Sequence, residues 1–254
     1  MQSILSLPPM QLFLAILLFV TVGTSAAMLL LYGLRRVFKA TTMAVPVATF
    51  LSVVATAWAL ALGFAAADVW TLRAEADKAA FAERSSVMRM IGMAEADALD
   101  IPELREAIVE YVDLVTRVEW GADLNSTPYV AVDETLQAVR LTIIDLARSE
   151  APPTLVSKAV IDFDELQDAR NKRLALGGNS ISQYKWYLVL FLTFLSMVSI
   201  AAVHAERPPA ARNALAVFAV AAVVSLWILA LHAMPYAGAA RIGFEEIQFP
   251  ITRS

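Results

Sequence analysis

The sequence contains no cysteine and only two histidines, His204 and His232, in 254 residues. The absence of cysteine excludes disulfide bonds, thiolate metal sites and cysteine nucleophiles. The chain also has no nucleophile elbow, zinc-protease motif, phosphate-binding loop or dinucleotide-binding fingerprint. We therefore expect no catalytic residue, no metal site and no cofactor, and we predict that the protein is not an enzyme.

Charged residues are scarce in four long stretches of the chain. Each stretch holds the roughly 20 apolar residues that a helix needs to cross a bilayer. The hydrophobic fraction of 59% is also too high for an ordinary soluble domain. We predict an integral membrane protein in contact with the lipid bilayer, with spans near residues 10–33, 44–67, 186–204 and 213–236.

The order of these stretches predicts the architecture. The spans form two pairs, one toward each end of the chain, and no segment between them has the alternating pattern of a strand. We predict an all-α fold, with four transmembrane helices in two hairpins and an inserted helical extramembrane domain. The predicted parts are a first hairpin (1–67), the inserted domain (68–183), a second hairpin (184–238) and a C-terminal tail (239–254).

The inserted domain is acidic. Between Asp68 and Lys185 the chain has 21 acidic and 13 basic residues, a net charge of −8. This balance argues against a nucleic-acid partner, because phosphate binding needs a basic surface. The absence of glycine and proline between Gly63 and Gly92 predicts that the second span continues into this domain as one helix. Three more helices are predicted: one capped by Asp100 and ending near Trp120, one over about 132–149, and one that follows Pro152 and Pro153 and runs to about Leu176.

Basic residues in the short loops indicate the topology. The positive-inside rule places such loops in the cytoplasm, which puts the inserted domain and both termini outside, in the periplasm of a Gram-negative cell. The protein is then a multi-pass protein of the bacterial inner (plasma) membrane. The residues that indicate this are Arg35, Arg36 and Lys39 after the first span, and Arg207 and Arg212 after the third.

Several short segments resemble the bacterial bestrophin-like family of four-span membrane proteins. The likeness covers roughly residues 45–250 and rests on the order of these segments along the chain. It implies a relation to bestrophins, which are pentameric anion channels with a cytoplasmic domain between spans two and three, so this sidedness differs from the one that the loops predict. The matching segments are Gly63-Phe64, Trp70, Glu83, Tyr111 to Trp120, Glu165 to Leu174, and Pro235-Tyr236-x-Gly238.

The sequence departs from the family pattern at two places. The family usually has a proline in the hinge before the third span, where this chain has Ser180, Ile181, Ser182 and Gln183. It also tends to have an acidic–basic pair just before the Pro-aromatic-Gly element, where this chain has His232-Ala233-Met234.

Hydroxyl side chains within the spans are candidates for a pore lining. Thr49, Ser52 and Thr56 lie on one face of the second span, and Thr193 and Ser196 of the third span could join them. The alternative interpretation is hydrogen bonding between helices, which is common for serine and threonine in membranes.

Four charged residues of the inserted domain are candidates for one ion-pair network. Glu83, Glu119, Arg170 and Arg173 could join the first and last helices of the domain, with the two arginines at i and i+3 on one helix face. If the arginines instead faced a pore axis, they would attract anions at its mouth.

A seam of small residues on the second span indicates close helix packing. Ala55, Ala59 and Gly63 recur every four residues, and the partner helix could belong to the same chain or to a neighbouring copy. Together with the long helices, this seam favours self-association.

Two hypotheses for function remain open on this sequence. The first is a passive bestrophin-like pore, conducting small anions and formed by a homo-oligomer, with the second span nearest the axis. The second is a non-conducting scaffold or accessory subunit that presents the acidic domain to a partner in a membrane complex.

Overall fold

The computed structural model gives the arrangement of most of the chain. The described residues are 2–37, 48–120, 125–149, 151–178, 182–238 and 240–243. Lys39, Ser180, Ile181 and most of the predicted tail lie outside them. Within the described ranges every regular element is helical, which confirms the all-α prediction. The helices are α1 (Gln2–Leu5), α2 (Pro9–Val37), α3 (Ala48–Ala94), α4 (Pro102–Leu114), a π-helix (Val115–Glu119), α5 (Val130–Arg148), α6 (Pro153–Gly177), α7 (Gln183–Val203) and α8 (Pro208–His232).

Four of these helices begin at a proline, namely Pro9, Pro102, Pro153 and Pro208. Proline is favoured at the first helical position because its missing N–H would have no intrahelical partner there and its φ angle is already helical. The same residue stops the preceding segment from continuing as a helix. Proline placement thus accounts for the starting points of α2, α4, α6 and α8.

Helices α2, α3, α7 and α8 are each long and apolar enough to cross a membrane, which confirms the predicted four-span membrane protein. In α3 the apolar part extends to Ala67, and the charged part beginning at Asp68 belongs to the same unbroken helix. Residues Met1–Thr71 and Ser180–Ala233 form one compact unit, and Leu72–Asn179 and Met234–Ser254 form a second.

In the first unit, α2, α7 and α8 pack against one another. Their common core includes Val20, Met197, Leu215 and Val223, all at most 6% exposed. Gly23 permits the close approach of α2 to α7, since a Cβ at this position would lie 3.1 Å from the Met197 sulfur. The part of α3 in this unit contributes Leu51 and Trp58 to the edge of the same core.

In the second unit, α4 packs against α5, and α5 packs against α6. The core contains apolar residues from each helix of the unit, including Met90 of α3, Ile108 of α4, Val139 of α5 and Leu166 of α6. Within each helix the core residues recur at helical spacing, so each helix buries one face.

The start of α4 differs from the prediction. Asp100 is not its N-cap: Asp100 has a φ of +50°, the cap residue is Ile101, and the helix begins at Pro102. The backbone N–H of Asp100 donates to Glu95 O (3.0 Å), and that of Ile101 donates to Ala94 O (3.1 Å). Asp100 therefore closes the turn that ends α3, and its left-handed backbone is incompatible with the extended geometry of an N-cap.

A short segment after α8, here called the C-terminal strap (residues 234–238 and 240–243), packs into the second unit. The Tyr236 hydroxyl donates to Ala76 O (2.9 Å), and the Trp120 indole N–H donates to Ile242 O (3.2 Å). Arg73 donates a further bond to Ala240 O. Gly238 has a φ of +76°, a conformation that residues with a Cβ rarely adopt. Tyr236 of the Pro-aromatic-x-Gly element is thus part of the core of the second unit.

Candidate functional site

The predicted hydroxyls of the second span lie on one exposed stripe of α3. Thr49, Ser52 and Thr56 are all exposed, and the same stripe continues through Ala59 and Gly63, which are exposed as well. Their spacings alternate between three and four residues, which is the pattern of a helix face that packs against another helix. A Cβ added to Gly63 would meet no heavy atom of the described residues within 4 Å. Ala55, the other predicted packing residue, is half-buried and lies off this stripe.

The hydroxyls of the third span lie elsewhere. Thr193 and Ser196 of α7 are buried, at 0% and 1% exposure. Thr193 donates to Val189 O (2.7 Å) and accepts a bond from the Trp58 indole (2.9 Å), and Ser196 donates to Leu192 O (2.8 Å). The bond from Trp58 to Thr193 is the helix–helix kind that the alternative interpretation described. The bonds to Val189 O and Leu192 O lie within α7.

The structure therefore does not bring the two predicted sets of hydroxyls to one surface of the chain. Trp58, which contacts Thr193, follows Thr56 by two residues. Two residues correspond to a rotation of about 200° around an α-helix, so Trp58 and Thr56 face opposite sides of α3. A single sequence does not reveal which side of an apolar helix meets its neighbours.

The four predicted charged residues do come together in the second unit, in what we call the buried charge cluster (Glu83, Tyr111, Glu119, Asn125, Arg170 and Arg173). The Arg173 guanidinium donates to Glu83 (Nε to Oε2, 2.5 Å; Nη2 to Oε1, 3.0 Å) and to Glu119 Oε2 (2.8 Å). Its remaining nitrogen, Nη1, donates to the Asn125 amide oxygen. Glu83, Glu119 and Arg173 are each 0% exposed, so these contacts replace water completely.

Arg170 extends the cluster toward the surface. Its Nε lies 3.2 Å from Glu119 Oε1, its Nη2 also donates to Glu119, and its Nη1 lies 2.7 Å from Asp133 Oδ1. The Asp133 side chain is 54% exposed, whereas that of Arg170 is only 5% exposed. Arg170 thus links the buried Glu119 to an acid at the solvent boundary.

Two members of the cluster were not predicted as site residues. Tyr111 donates its hydroxyl to Glu83 Oε1 (2.6 Å), and Asn125 accepts from Arg173. Tyr111 is 0% exposed, and a buried tyrosine hydroxyl needs an acceptor. Asn125 has a φ of +58°, which asparagine tolerates better than most residues. The pairing of either residue depends on tertiary contacts, so local sequence patterns could not indicate it.

The π-helix positions Glu119 and one further side chain of the site, Trp120. It ends at Glu119, and the Trp120 backbone N–H donates to Val115 O, five residues earlier. The central carbon of the Arg173 guanidinium lies over the Trp120 ring, 5.0 Å from the ring centroid. The Trp120 ring also packs edge-on against the Tyr236 ring of the C-terminal strap, with the two ring centroids 5.4 Å apart. Single π-turns of this kind occur frequently at functional sites. The prediction of one regular helix up to Trp120 missed it, because no residue in Val115–Glu119 distinguishes a π-turn from an α-turn.

The cluster is balanced in charge. Two buried carboxylates face two buried guanidinium groups, and the hydrogen bonds described above occupy both carboxylates. Removing charges from water costs several kcal/mol per ion, and only well-formed contacts of this kind offset that cost. Since both arginines are paired and nearly inaccessible, they present no free positive charge to a passing anion.

The neighbouring charges also change the pKa values within the cluster. Burial alone would raise the pKa of Glu119, but hydrogen bonds and positive charge from Arg170 and Arg173 outweigh it and hold this pKa below its usual value. Burial and the adjacent Glu83 carboxylate raise the pKa of Tyr111 well above its usual value. The pKa of Arg173 is also raised, since its two carboxylate partners outweigh the effect of burial.

These shifts predict a stability plateau with an acid and an alkaline limit. Glu119 has a lower pKa in the folded state, so its contribution is complete above its unfolded pKa of about 4.3 and is lost as pH falls further. Tyr111 has a higher pKa in the folded state, so its contribution is complete below about pH 10 and is lost as pH rises further. We expect the melting temperature of the detergent-solubilised protein to fall on both sides of this range, as measured by circular dichroism.

Two phenylalanine variants test the alkaline limit. Tyr111→Phe removes the buried phenol, and we expect the decline above pH 10 to become shallower than in the unmodified protein. Tyr184→Phe removes a phenol that is 74% exposed, and we expect it to leave the alkaline decline unchanged. An alkaline decline that is identical in the two variants would contradict the assignment to Tyr111.

Comparisons with known proteins agree with this architecture. A family model described as the Bestrophin-like domain matches residues 10–246. None of the curated proteins compared with the chain matches its sequence. A solved crystal structure described as that of a membrane protein superposes with a TM-score of 0.63 at 15% sequence identity, covering 92% of this chain and 94% of the other. At this identity the structural likeness supports the fold alone.

Proposed function

Since the chain belongs to the Bestrophin-like family over residues 10–246, we propose that it forms a passive pore for small anions, as a homo-oligomer within the membrane. In this proposal the exposed stripe of α3 (Thr49, Ser52, Thr56, Ala59 and Gly63) lies nearest the oligomer axis. The family supports a channel-like activity. The choice of anions rests on the resemblance to bestrophins.

The observation that carries the proposal is the exposure of this stripe. Of the four spans, the apolar part of α3 is the least buried within its own chain. On its exposed face three hydroxyl residues, Ala59 and Gly63 form a stripe beside the larger Val53, Leu60 and Phe64. Small and hydroxyl residues of this kind allow helices to pack closely within a membrane. No acid or base lies between Thr49 and Ala67, and coupled transporters and proton relays generally need such groups inside the membrane. Uncharged hydroxyls suit passive conduction.

An anion-flux assay on reconstituted vesicles tests the proposal. Thr49→Leu and Thr56→Leu each replace a hydroxyl by a bulkier apolar group on the stripe. We expect each substitution to reduce flux by about tenfold, equivalent to roughly 1.4 kcal/mol on the conduction barrier.

The matched control is Thr21→Leu, which makes the same chemical change at an exposed position on α2. We expect this control to conduct like the unmodified protein. Robust flux that survives both stripe substitutions would refute the assignment of the lining, and absence of flux from the unmodified protein would refute the channel itself.

The second candidate function, a non-conducting scaffold or accessory subunit, is favoured by a different observation. The second unit exposes large apolar side chains, including Phe81 (66%), Met88 (51%) and Val130 (72%). Phe81 and Met88 are seven residues apart and so lie on one face of α3. Contiguous exposed apolar surface is typical of protein-interaction sites. This candidate predicts a stable complex with a different protein on purification, together with an absence of flux. Neither candidate assigns the chain a catalytic role.

For sidedness we propose that the inserted domain lies in the periplasm and that the protein belongs to the bacterial inner membrane. The support is the arginine content in and beside the short loops: Arg207, in the loop before α8, and Arg212, near the start of α8, are both exposed. In a Ser126→Cys variant, the new thiol is the only one in the chain. We expect it to react with a thiol reagent that can reach the periplasm but cannot cross the inner membrane.

The control for sidedness is Glu206→Cys, in the short loop between α7 and α8. We expect this thiol to react only after the inner membrane has been permeabilised. The reverse pattern would place the inserted domain in the cytoplasm, as the resemblance to bestrophins implies.

A further inference from the structure

An open apolar groove lies between α2 and α8 in the first unit. Its volume is about 370 Å³, and none of the described residues that line it is charged. Small side chains leave this space, with Ala219 on the α8 wall and Thr21 and Ser25 on the α2 wall. Both hydroxyls donate to carbonyls of their own helix, at Leu17 and Thr21. The groove therefore presents a largely apolar surface.

The two helices are antiparallel, which fixes the residues at one end of the groove. Near the start of α2 and the end of α8, the Phe13 and Trp227 rings pack edge-on with centroids 5.5 Å apart. Fifteen residues later in α2 is Met28, and fifteen residues earlier in α8 is Arg212, so these two lie at one level. Arg212 is also seven residues, or about two turns, before Ala219 of the groove wall. The groove thus leads toward Arg212 on the same face of α8.

Positive charge without a partner collects at this end of the spans. Arg212 is exposed and forms no ion pair with any described residue. Arg36, near the end of α2, and Arg207, just before α8, are exposed as well. Glu206 is the only acidic residue of α2, α7, α8 and the loop that joins the last two. The end of the groove is therefore complementary to an anion.

We propose that this groove binds one acyl chain of an anionic glycerophospholipid, whose phosphate pairs with Arg212. A methylene group occupies about the volume of a water molecule, so 370 Å³ corresponds to about twelve methylenes, most of one acyl chain. A zwitterionic headgroup would bring an ammonium group among the arginines at this end, whereas the headgroup of phosphatidylglycerol carries no cation. The net positive charge therefore favours the anionic lipid.

The depth of Arg212 in the membrane fits this ligand. Val220, the middle residue of α8, lines the groove, and Arg212 precedes it by about 12 Å along the helix axis. The hydrocarbon of one leaflet is about 15 Å thick, and a long basic side chain at this depth extends its charge to the headgroups. Tyr32 of α2 is 67% exposed and lies seven residues after Ser25, so it is on the groove face of its own helix. Aromatic residues of this kind gather at headgroup level.

Competitive native mass spectrometry of the intact protein tests the proposal with two defined lipids. The purified protein in detergent receives equal concentrations of phosphatidylglycerol and phosphatidylcholine that carry the same two acyl chains. We expect phosphatidylglycerol to be retained about fivefold more tightly, the typical effect of one basic side chain at a membrane surface. Equal retention of the two lipids would overturn the proposal.

Two charge-removing variants locate the headgroup. Arg212→Gln removes the proposed phosphate partner, and we expect the preference for phosphatidylglycerol to fall below about twofold. Lys185→Gln removes one positive charge at the opposite end of the spans, from an exposed lysine in the first turn of α7, and we expect it to keep the full preference. A preference that survives Arg212→Gln would place the headgroup elsewhere and overturn the proposal.

Three leucine variants locate the acyl chain. Ala219→Leu fills the groove from α8, and we expect retention of both lipids to fall by at least about threefold. Ser25→Leu fills it from the exposed wall of α2 and gives the same test if Ala219→Leu does not fold. The matched control is Ala221→Leu, at an exposed position of α8 outside the groove, which we expect to retain both lipids normally. Unchanged retention in Ala219→Leu and Ser25→Leu would overturn the proposal.

Other occupants give different results. A lower subunit number in Ala219→Leu, with lipid retention unchanged, would assign the groove to a neighbouring copy of the chain and overturn the proposal. Displacement of phosphatidylglycerol by glycerol 3-phosphate at equal concentration would show that the acyl chain contributes nothing, and would also overturn it. None of these readouts depends on ion flux, so the lipid site can fail or hold independently of the channel.

Discussion

Substitution of Arg173 by methionine should lower the free energy of unfolding by about 3–5 kcal/mol, among the largest effects of any single change in the second unit. The reason is that Arg173 is the shared partner of Glu83 and Glu119, and all three side chains are fully buried. Without the guanidinium, the buried Glu83 carboxylate keeps only the Tyr111 hydroxyl as a partner, and Glu119 keeps Arg170. For a chain of this size the corresponding decrease in melting temperature is roughly 6–20 °C.

The measurement is thermal unfolding of the detergent-solubilised protein, with Arg148→Met as the matched control. Arg148 also pairs with an aspartate, Asp145, at 3.0 Å, but both side chains are more than 70% exposed. Solvent screens such a pair, so the control should cost no more than about 1 kcal/mol. Equal destabilisation by the two substitutions would show that the buried ion pairs of Arg173 contribute no more to stability than the exposed pair of Arg148.

A double-mutant cycle separates loss of the ion pair from loss of packing. In Glu83→Gln the carboxylate that depends most on Arg173 becomes neutral, so a second substitution of Arg173 should then cost less than it does alone. Contacting buried charges typically show coupling of about 0.5–3 kcal/mol. Additive effects would mean that the two side chains contribute independently, against the geometry of their two hydrogen bonds.

Introduction of leucine at Gly63 should dissociate the proposed homo-oligomer while leaving the single chain folded. Gly63 lies on the exposed stripe of α3, where small residues allow two helix backbones to approach closely. A Cβ added here would meet no heavy atom of the described residues within 4 Å beyond the neighbouring backbone of α3 itself. Leucine also has a higher helix propensity than glycine, so the helix itself should be stabilised by up to about 1 kcal/mol.

Native mass spectrometry in a mild detergent gives the subunit number directly. Gly33→Leu is the control, because Gly33 is an exposed helical glycine near the end of α2 with nothing within 4 Å of the added Cβ. We expect Gly33→Leu to keep the subunit number of the unmodified protein and Gly63→Leu to weaken association by at least about tenfold, or roughly 1.4 kcal/mol. An unchanged oligomer in Gly63→Leu would remove the stripe from the subunit interface and with it the proposed axis.

The sequence predicted the helices well because each depends on local signals. Runs of apolar residues marked the four spans, and the lack of glycine or proline after Gly63 predicted the continuation of α3, which extends to Ala94. The predicted helices at about 132–149 and after Pro152 and Pro153 up to about Leu176 correspond to α5 (Val130–Arg148) and α6 (Pro153–Gly177). The prediction for Asp100 was wrong, since the left-handed conformation of this residue is a property of the turn it closes.

The candidate site was predicted only in part. Glu83, Glu119, Arg170 and Arg173 could be proposed from charge and helix spacing, and the structure brings them together. The partners Tyr111 and Asn125 could not, because their contacts join segments that local periodicity does not relate. The separation of Thr193 and Ser196 from the exposed stripe could not be predicted either. In an almost entirely apolar helix, the sequence pattern does not distinguish the face that packs against neighbouring helices from the other faces.

The C-terminal strap has a consequence for the order in which the protein is made. Tyr236 and Ile242 belong to the same core as Trp120 and Ala76. The ribosome nevertheless synthesises the whole of α7 and α8 after Trp120 and before Tyr236. At about 5–20 residues per second, several seconds pass after residue 179 before Tyr236 is added. Throughout that interval the Trp120 indole lacks its Ile242 acceptor and the Ala76 carbonyl lacks its tyrosine donor. Completion of the second unit is thus coupled in time to the synthesis of the last two spans, and an unfinished chain presents an incompletely packed aromatic surface to chaperones and proteases.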